Sequence, residues 1–573
     1  MQKLHLKNFR KSLNSEIGLA DFTMLIGKNN SGKSNVAKSL LLLSDYLESD
    51  SIIDFPLNGQ NSIYHNILAW KELQSWQSIE EYNPQKEGSS VEPDKLPQIR
   101  VTLSGGAILS ITLKEYESIY PRPIIVEKIE IIDSDNLPLF KVINTDYSYS
   151  QVYYSLEGIQ HFLFLNNIKV YDKGGNQLIK NSGLTIFKTE LNNKIALLNN
   201  CSNQAERARI QTEISNLRSK IERISSHEVT IKNPDCLSFE IKTQNSDYSK
   251  RTVLELLSSF IPLKWSRYCA QQNMAQNYDS DSKWFTEKPK DIDFDEESEI
   301  TQVSDQNIEN YETFRELTLK FSKFIFSQLS QVCFSPVNRY TPYREFIDTQ
   351  TFSQRNNVDL IRDVSKLLWN NIQIDLRGDE ESFLNKWLVE FGISTNHRNE
   401  EGMLLQIRKE SNLGFSIFVF DDNVFTTKGM YGYVNLADKG YGSGQILAIL
   451  LKIIVSSRSA NNQRKFKTVN SILVLEEPES NLHPDFQAKL IDMLWDAQQK
   501  FNIRFIIECH SEYMIRRLQV LVKNKDLKPD QISIAYFNEA EINQIRISDN
   551  GFLDKQIPTG FMDIAAQMAI EIL

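Results

Sequence analysis

Apolar and polar positions alternate at the start of the chain. Leu4, Leu6 and Phe9 are separated by polar residues, the period-two pattern of a strand with one buried face. A second apolar run, Phe22 to Ile26, ends at Gly27 and leads into NVAKSLLLLSDYLES, whose spacing is helical. The order is strand, glycine-containing turn, helix. Residues 98–113 (QIRVTLSGGAILSITL) read as a hairpin around Gly105-Gly106, and 124–169 carries further short strand-like segments. Residues 1–174 are therefore predicted to form one lobe of an α/β domain with an antiparallel side sheet.

The period changes in the middle of the chain. Ile210, Ile214, Leu217, Ile221 and Ile224 recur at 4-3-4-3 spacing, a short heptad pattern. Phe187, Leu191, Ile195 and Leu198 form an earlier apolar set, and Asn199 to Asn203 is the polar break between the two. Two helices folded back as a short antiparallel coiled coil explain this best; a surface helix pair packed on the lobe is the alternative. Asn277 to Glu299 is polar and ends in DIDFDEESE, the composition of a solvated acidic loop. Residues 175–330 are thus predicted as a helical insertion. After Tyr311 the pattern becomes compact again, with helical signals over 311–331 and a strand-like Val332-Cys333-Phe334 running into SPVNRYTPYREF. From 414 onward come strand, glycine-rich turn and helix. A strand at 471–475, a helix at 484–500, a strand at 503–507 and a last helix follow. Residues 331–573 are predicted to complete the α/β domain begun at the N-terminus.

Composition narrows the function. The 573 residues are 41% hydrophobic and carry a formal charge of -10, from 64 basic and 74 acidic side chains. That balance argues against coating nucleic acid through charge alone, while leaving room for a local basic groove. Five cysteines, Cys201, Cys236, Cys269, Cys333 and Cys509, show no C-x-x-C spacing, which fits a reducing compartment and no disulfide framework. The N-terminus has no apolar leader core and no run of about 18 apolar residues occurs. A soluble, cytoplasmic protein with no membrane partner is expected.

The chemistry sits in the turns. Gly27 to Ser34 (GKNNSGKS) has the G-x-x-x-x-G-K-[ST] form, with a strand before it and a helix after it. Glycines let backbone N–H groups wrap phosphates, and the helix N-terminus adds its dipole. Lys33 would meet the β- and γ-phosphates of ATP, and the Ser34 hydroxyl would ligate Mg2+. The apolar run Ser471 to Leu475 ends in Glu476-Glu477-Pro478-Glu479. A nucleotide hydrolase of this kind needs one acid to hold the Mg2+ shell and a second group to activate water; Glu476 suits the first role and Glu477 the second. Small residues around Ser443, Gly444 and Gln445 open the apolar helix ILAILLKIIV, a second anion-binding device. Because the chain already has one phosphate loop, this second device would serve the nucleotide of another subunit.

In GKNNSGKS, LADKGYGSGQ, LVLEEPESNLHP and ECHSEYMIRRL the chain resembles the ABC-like AAA ATPases grouped with the OLD family. Within that group it is similar to the ATPase subunits of Septu-type bacterial anti-phage systems, including retron-associated ones; 57–70, 334–346 and 557–570 share the likeness, and 175–330 does not. The resemblance implies an ABC/SMC-like P-loop fold with a mixed sheet. It implies ATP and Mg2+ as cofactors, with Gly27, Asn29, Asn30, Ser31, Gly32, Lys33, Ser34 and Asn35 around the phosphates. Further, it implies Gln60 as a γ-phosphate and Mg2+ sensor, His510 as the switch, and Ser443, Gly444 and Gln445 as a signature acting on a partner's nucleotide. The signature reads G-S-G-Q where transporters have S-G-G-Q.

Function follows as an expectation. Only residues 511–573 follow His510, too few for a Toprim nuclease fold, and the seven histidines are dispersed without an H-N-H pattern. The chain is therefore expected to be an ATPase without nuclease activity of its own. It would act as a homodimer or higher oligomer that senses and gates a separate H-N-H nuclease, with DNA or retron nucleic acid as a further partner. The alternatives are a DNA-repair or chromosome-maintenance ATPase of the RecF/SMC kind, and a scaffold that holds ATP with negligible turnover.

Overall fold

The computed structural model describes most of residues 1–48, 96–170, 183–243, 331–462 and 471–557, with isolated positions between 55 and 73 and between 317 and 325. Three strands open the chain, β1 (Lys3–Phe9), β2 (Ser12–Gly18) and β3 (Phe22–Gly27). Leu4 and Leu6 are fully buried, as their alternation predicts, and Phe9, out of that phase, is buried beyond Asn8 at φ 52°. β3 is buried at every position and runs into the helix Ser34–Glu48. There follow β4 (Gln98–Thr102), β5 (Ile108–Glu115), β6 (Ile124–Ile132), β7 (Pro138–Asn144) and β8 (Tyr149–Tyr154), each antiparallel to the next. Gly105 and Gly106, at φ 84° and 83°, supply the left-handed backbone of the β4–β5 turn.

After β8 the chain leaves the sheet. The helix Leu156–Leu165 is capped by Ser155, whose Oγ accepts the N–H of Gly158 at 2.9 Å. Two helices, Gly183–Asn200 and Gln204–Ile224, then pack on each other. Ile210, Ile214 and Leu217 make the buried stripe of the second, and Lys194 pairs with Glu213 at 2.6 Å across the pair. The side chains of Phe187, Ile221 and Ile224 lie outside the described residues, as do Gln60 and the acidic run at 277–299. β9 (His227–Lys232) and β10 (Ile241–Thr243) then rejoin the sheet beside β8. Its order is β10-β9-β8-β7-β6-β5-β4-β1-β2, so the helical hairpin is an excursion between two neighbouring strands.

The chain divides into two compact units. One comprises Met1–Asn14 and Leu42–Leu329, the other Ser15–Leu41 and Ser330–Leu573. The second unit adds β11 (Gln331–Ser335), β12 (Phe346–Ile347), the short pair β13 (Leu368–Trp369) and β14 (Gln373–Ile374), then β15 (Leu405–Lys409), β16 (Gly414–Phe425) and β17 (Tyr431–Asn435). β18 (Ser471–Glu476), β19 (Ile503–Glu508), β20 (Ile532–Phe537) and β21 (Ile542–Ile545) finish the described strands. Its main sheet has the order β11-β18-β19-β3-β20-β21, parallel throughout except for β21. β3 from the N-terminus thus lies between strands from the far end of the chain, which is what brings distant motifs together at the ends of neighbouring strands.

The helix Tyr441–Asn462 is buried nearly all round, with Ile446, Leu447, Leu450, Leu451 and Ile454 at most 1% exposed. A helix apolar on every face belongs inside a domain. Its one interior charge, Lys452, is neutralised by Asp363 at 3.1 Å on the helix Val358–Leu367. The helix Pro484–Phe501 starts with proline in its first turn and ends at Asn502 in the left-handed conformation, φ 53°. Among the described residues no helix is long and apolar enough to cross a membrane.

Candidate active site

Strand pairing aligns the chemistry. Glu476 at the end of β18 is in register with Glu508 at the end of β19, and Glu508 with Leu25 of β3. On the other side Phe537 of β20 pairs with Gly27. A Cβ on Gly27, at φ 139°, would lie 2.3 Å from the Phe537 carbonyl oxygen, so only glycine fits there. Asn30 at φ 63° and Gly32 at φ 100° complete the turn, and the N–H of Asn35 closes on the Gly32 carbonyl at 3.0 Å.

The loop curls around its own lysine. Lys33 is 3% exposed, and its Nζ donates to the carbonyls of Gly27 at 3.1 Å and Lys28 at 2.8 Å. It also lies 4.0 Å from Glu508 Oε1. The Ser34 hydroxyl donates to the same carboxylate oxygen at 3.2 Å. Asn29 and Asn30 are exposed, Asn35 is buried, and the Ser31 Oγ is buried without a hydrogen-bond partner. An orphaned donor in a turn of backbone amides around a buried ammonium fits a polyphosphate.

The acidic side of the site is crowded. Glu476 Oε2 accepts the N–H of Val337 at 3.3 Å. Glu477 has φ 42°; its N–H donates to the Glu508 carbonyl at 2.7 Å, and its Oε2 accepts from the Ser480 hydroxyl at 3.2 Å. Glu477 Oε1 is 4.0 Å from His510 Nε2. Burial pushes the Glu508 carboxyl up to about 7, with Glu476 and Glu477 adding to the rise and Lys33 and Ser34 opposing it. Burial lowers Lys33 against the pull of Glu508. Burial and Lys33 together lower His510 against Glu477, which favours the neutral imidazole.

These oxygens also fit Mg2+. The Ser34 hydroxyl and the carboxylates Glu476 and Glu508 are hard oxygen donors, and the two carboxylates repel one another until a cation sits nearby. Among the described residues no three His, Cys, Asp or Glu side chains converge as a cage.

A family profile described as AAA ATPase domain matches residues 1–515. The chain belongs to that family. The fold class predicted from sequence is the one found: a P-loop α/β core with a mixed sheet, an antiparallel side sheet and an inserted helical hairpin. No curated protein matches the chain by sequence. Among solved structures, the Smc head domain with an extended coiled coil bound to the C-terminal domain of ScpA, from Pyrococcus furiosus, is 10% identical, covering 100% of this chain and 98% of that one at a TM-score of 0.29. The Smc head domain with a coiled coil and joint from Pyrococcus yayanosii is 12% identical, with 100% and 99% covered and a TM-score of 0.31. The SMC head domain from Thermotoga maritima is 8% identical, with 96% and 98% covered and a TM-score of 0.28. Likenesses of that size carry nothing further about this chain.

Within the AAA ATPase domain the glycine-rich first turn of the Tyr441–Asn462 helix is joined to the acidic side of the site. Gln445 is buried, and its Oε1 accepts from Arg339 Nη1 at 3.3 Å while its Nε2 donates to the Tyr340 carbonyl at 3.2 Å. Gly444 rests on the Tyr340 ring, and Ser443 is half-buried. Lys439, just before the helix, is tied to Asp421 of β16 at 2.6 Å. Glu508, Glu479 and Arg339 are part of the site and were missed from sequence. Only Glu508 had a signal, a carboxylate in an apolar strand two positions before His510. The region around Gln60 is not described, and its place relative to the site stays an expectation.

Proposed function

We propose that this chain is the ATP-binding and ATP-hydrolysing switch of a bacterial anti-phage defence system, acting as a dimer that gates a separate nuclease. The observation that supports its ATPase part is the meeting of Lys33 and Ser34 with Glu508, Glu476, Glu477 and His510 at the ends of neighbouring strands. Lys33 Nζ would exchange the Gly27 and Lys28 carbonyls for the β- and γ-phosphates. Ser34 and Glu476 would hold Mg2+, which when bound neutralises charge on the transferred phosphoryl group. Glu477 would take the proton of the attacking water, and the neutral His510 would orient that water beside it. Ser443 to Gln445 would close on the nucleotide of the partner protomer, so that ATP favours a closed dimer and hydrolysis opens it.

The nuclease assignment follows from the motif resemblance. A docked H-N-H nuclease that contacts the two nucleotide states differently would be regulated by them, as linkage requires. The purified chain should release phosphate from ATP and leave DNA and RNA intact with Mg2+ or Mn2+. With the co-encoded nuclease added, cleavage should appear and depend on nucleotide. Metal-dependent nicking by the chain alone, lost on a mutation outside the ATPase motifs, would overturn this reading. DNA-stimulated ATP turnover with no nuclease response would instead favour a repair or chromosome-maintenance role.

A further inference from the structure

Arg339 is 1% exposed, yet each of its three nitrogens donates a hydrogen bond. Nε donates to the Pro336 carbonyl at 2.9 Å, and Nη2 to the carbonyls of Glu476 at 2.5 Å and Glu477 at 3.3 Å. Nη1 reaches Gln445 Oε1 at 3.3 Å. Neighbouring residues extend the connection in both directions. The N–H of Val337 meets Glu476 Oε2, and the Tyr340 carbonyl takes the other end of the Gln445 amide. The Tyr340 ring lies where a Cβ on Gly444 would be, 2.1 Å from its Cε1. One short segment thus holds the peptide of the two glutamates and the start of the Tyr441–Asn462 helix together.

A core filler would pack more cheaply here. Burial pushes the Arg339 guanidinium down to about 10 even though Glu479, Glu476 and Glu477 favour its charge, and an apolar residue of similar volume avoids that cost. What the guanidinium adds is a planar fork that fixes several acceptors at once, which a lysine cannot do. Glu477 needs such fixing, because left-handed backbone at a glutamate persists only where its surroundings over-determine it.

We propose that Arg339 is a positioning residue that couples two half-sites. It locks the Glu476–Glu477 peptide and the Gln445 amide into one frame. A shift of the signature helix on meeting a partner's nucleotide is then passed to the catalytic carboxylates of its own chain. Gln445, bound at both ends within its protomer, acts through this frame. The proposal rests on the shared-site reading above, and the coupling must be reciprocal.

The test uses dimers in which one chain carries Glu477→Gln, leaving one working site built from the other chain's Glu477 and this chain's signature. Arg339→Lys, which keeps the charge and loses the fork, is placed in either chain. Nucleotide affinity of the single chain should stay within about two-fold, while turnover at the working site falls roughly ten-fold or more whichever chain carries the variant. Gln445→Leu should do the same from either chain, although Gln445 does not touch the glutamates. Arg339→Lys and Gln445→Leu on one chain should be no worse than either alone. A fall confined to one position of Arg339→Lys would reduce the residue to local support and overturn the coupling. Should Arg339→Lys fail to fold, Gln445→Leu decides by itself: a loss from both positions supports the frame, and a loss from one position refutes it. Failure of wild-type chains to dimerise with ATP would instead refute the shared site, and is seen before any variant is made.

Discussion

Glu479 Oε1 accepts the backbone N–H of His510 at 2.5 Å, tying the turn after β18 to the end of β19 beside Glu477. The other oxygen of Glu479 is buried with no hydrogen-bond partner. Burial pushes this carboxyl up to about 6, with Glu477 adding to the rise and the His510 N–H and Arg339 opposing it. The folded value lies above the ordinary 4.5 of the unfolded chain. The contribution to stability is therefore complete below about pH 4.5 and is lost as pH rises through about 6. Glu479→Gln keeps an acceptor for His510 and cannot ionise. Without nucleotide, the variant should match wild type near pH 4.5 and exceed it by about 1–2 kcal/mol at pH 8. Denaturant unfolding at the two pH values checks this; a variant less stable at both would show that the carboxylate itself is needed.

Lys33→Ala removes the ammonium around which the phosphate loop is wound. In a desolvated site one such donor is worth roughly a hundred-fold or more, so binding of a fluorescent ATP analogue should fall by at least that. Glu477→Gln should behave differently, binding ATP as wild type does while phosphate release drops and dimers accumulate. Turnover at the wild-type rate would remove Glu477 from the role of base.

What was legible in the sequence is what local chemistry dictates. Gly27 and Gly32 announced the phosphate turn because only glycine tolerates those φ values at close quarters, and Glu476 and Glu477 stood out as charges ending an apolar strand. The β4–β5 hairpin was readable from Gly105 and Gly106 for the same reason. Glu508 was not readable as a partner of Ser34, since that contact exists only because β19 pairs with β3 across 474 positions. Arg339 had no local signal either: its meaning comes from carbonyls more than a hundred residues away. β9 and β10 were hidden because each is short and completes its pairing only after a long helical detour.

The buried pair of Lys452 and Asp363 offers a stability test inside the Tyr441–Asn462 helix. Lys452→Met leaves Asp363, 3% exposed at its side chain, with its nearest cation gone. Breaking a buried pair from one side should cost about 3–5 kcal/mol, whereas Lys452→Met with Asp363→Leu should recover most of it. Chemical denaturation of both variants measures the difference. Equal loss in the two would mean that the ion pair, and not the unpaired charge, sets the stability of this helix.

The last prediction concerns whether the signature works across a dimer. A Cβ on Gly444 would fall 2.1 to 2.4 Å from three ring carbons of Tyr340, so any side chain there displaces the helix start within its own chain. Overpacking of that kind costs about 1–3 kcal/mol, and Gly444→Asp adds a charge next to a site meant for phosphate. The variant should fold, bind ATP through its intact Lys33, and fail to hydrolyse it. A Lys33→Ala chain fails for the opposite reason, having a sound signature and no phosphate cation. If the signature serves the partner's nucleotide, a dimer of the two variants contains one site with a sound signature and a sound phosphate cation, slowed only as far as the displaced helix start disturbs Glu477 of its own chain through Arg339, and one site with neither. Phosphate release should then return on mixing, to at most one working site per dimer, and should rise with the fraction of mixed dimers. A signature that served its own chain's nucleotide would leave every site with one defect, and mixing would restore nothing. Phosphate release from mixtures whose heterodimer content has been measured separates the two arrangements directly.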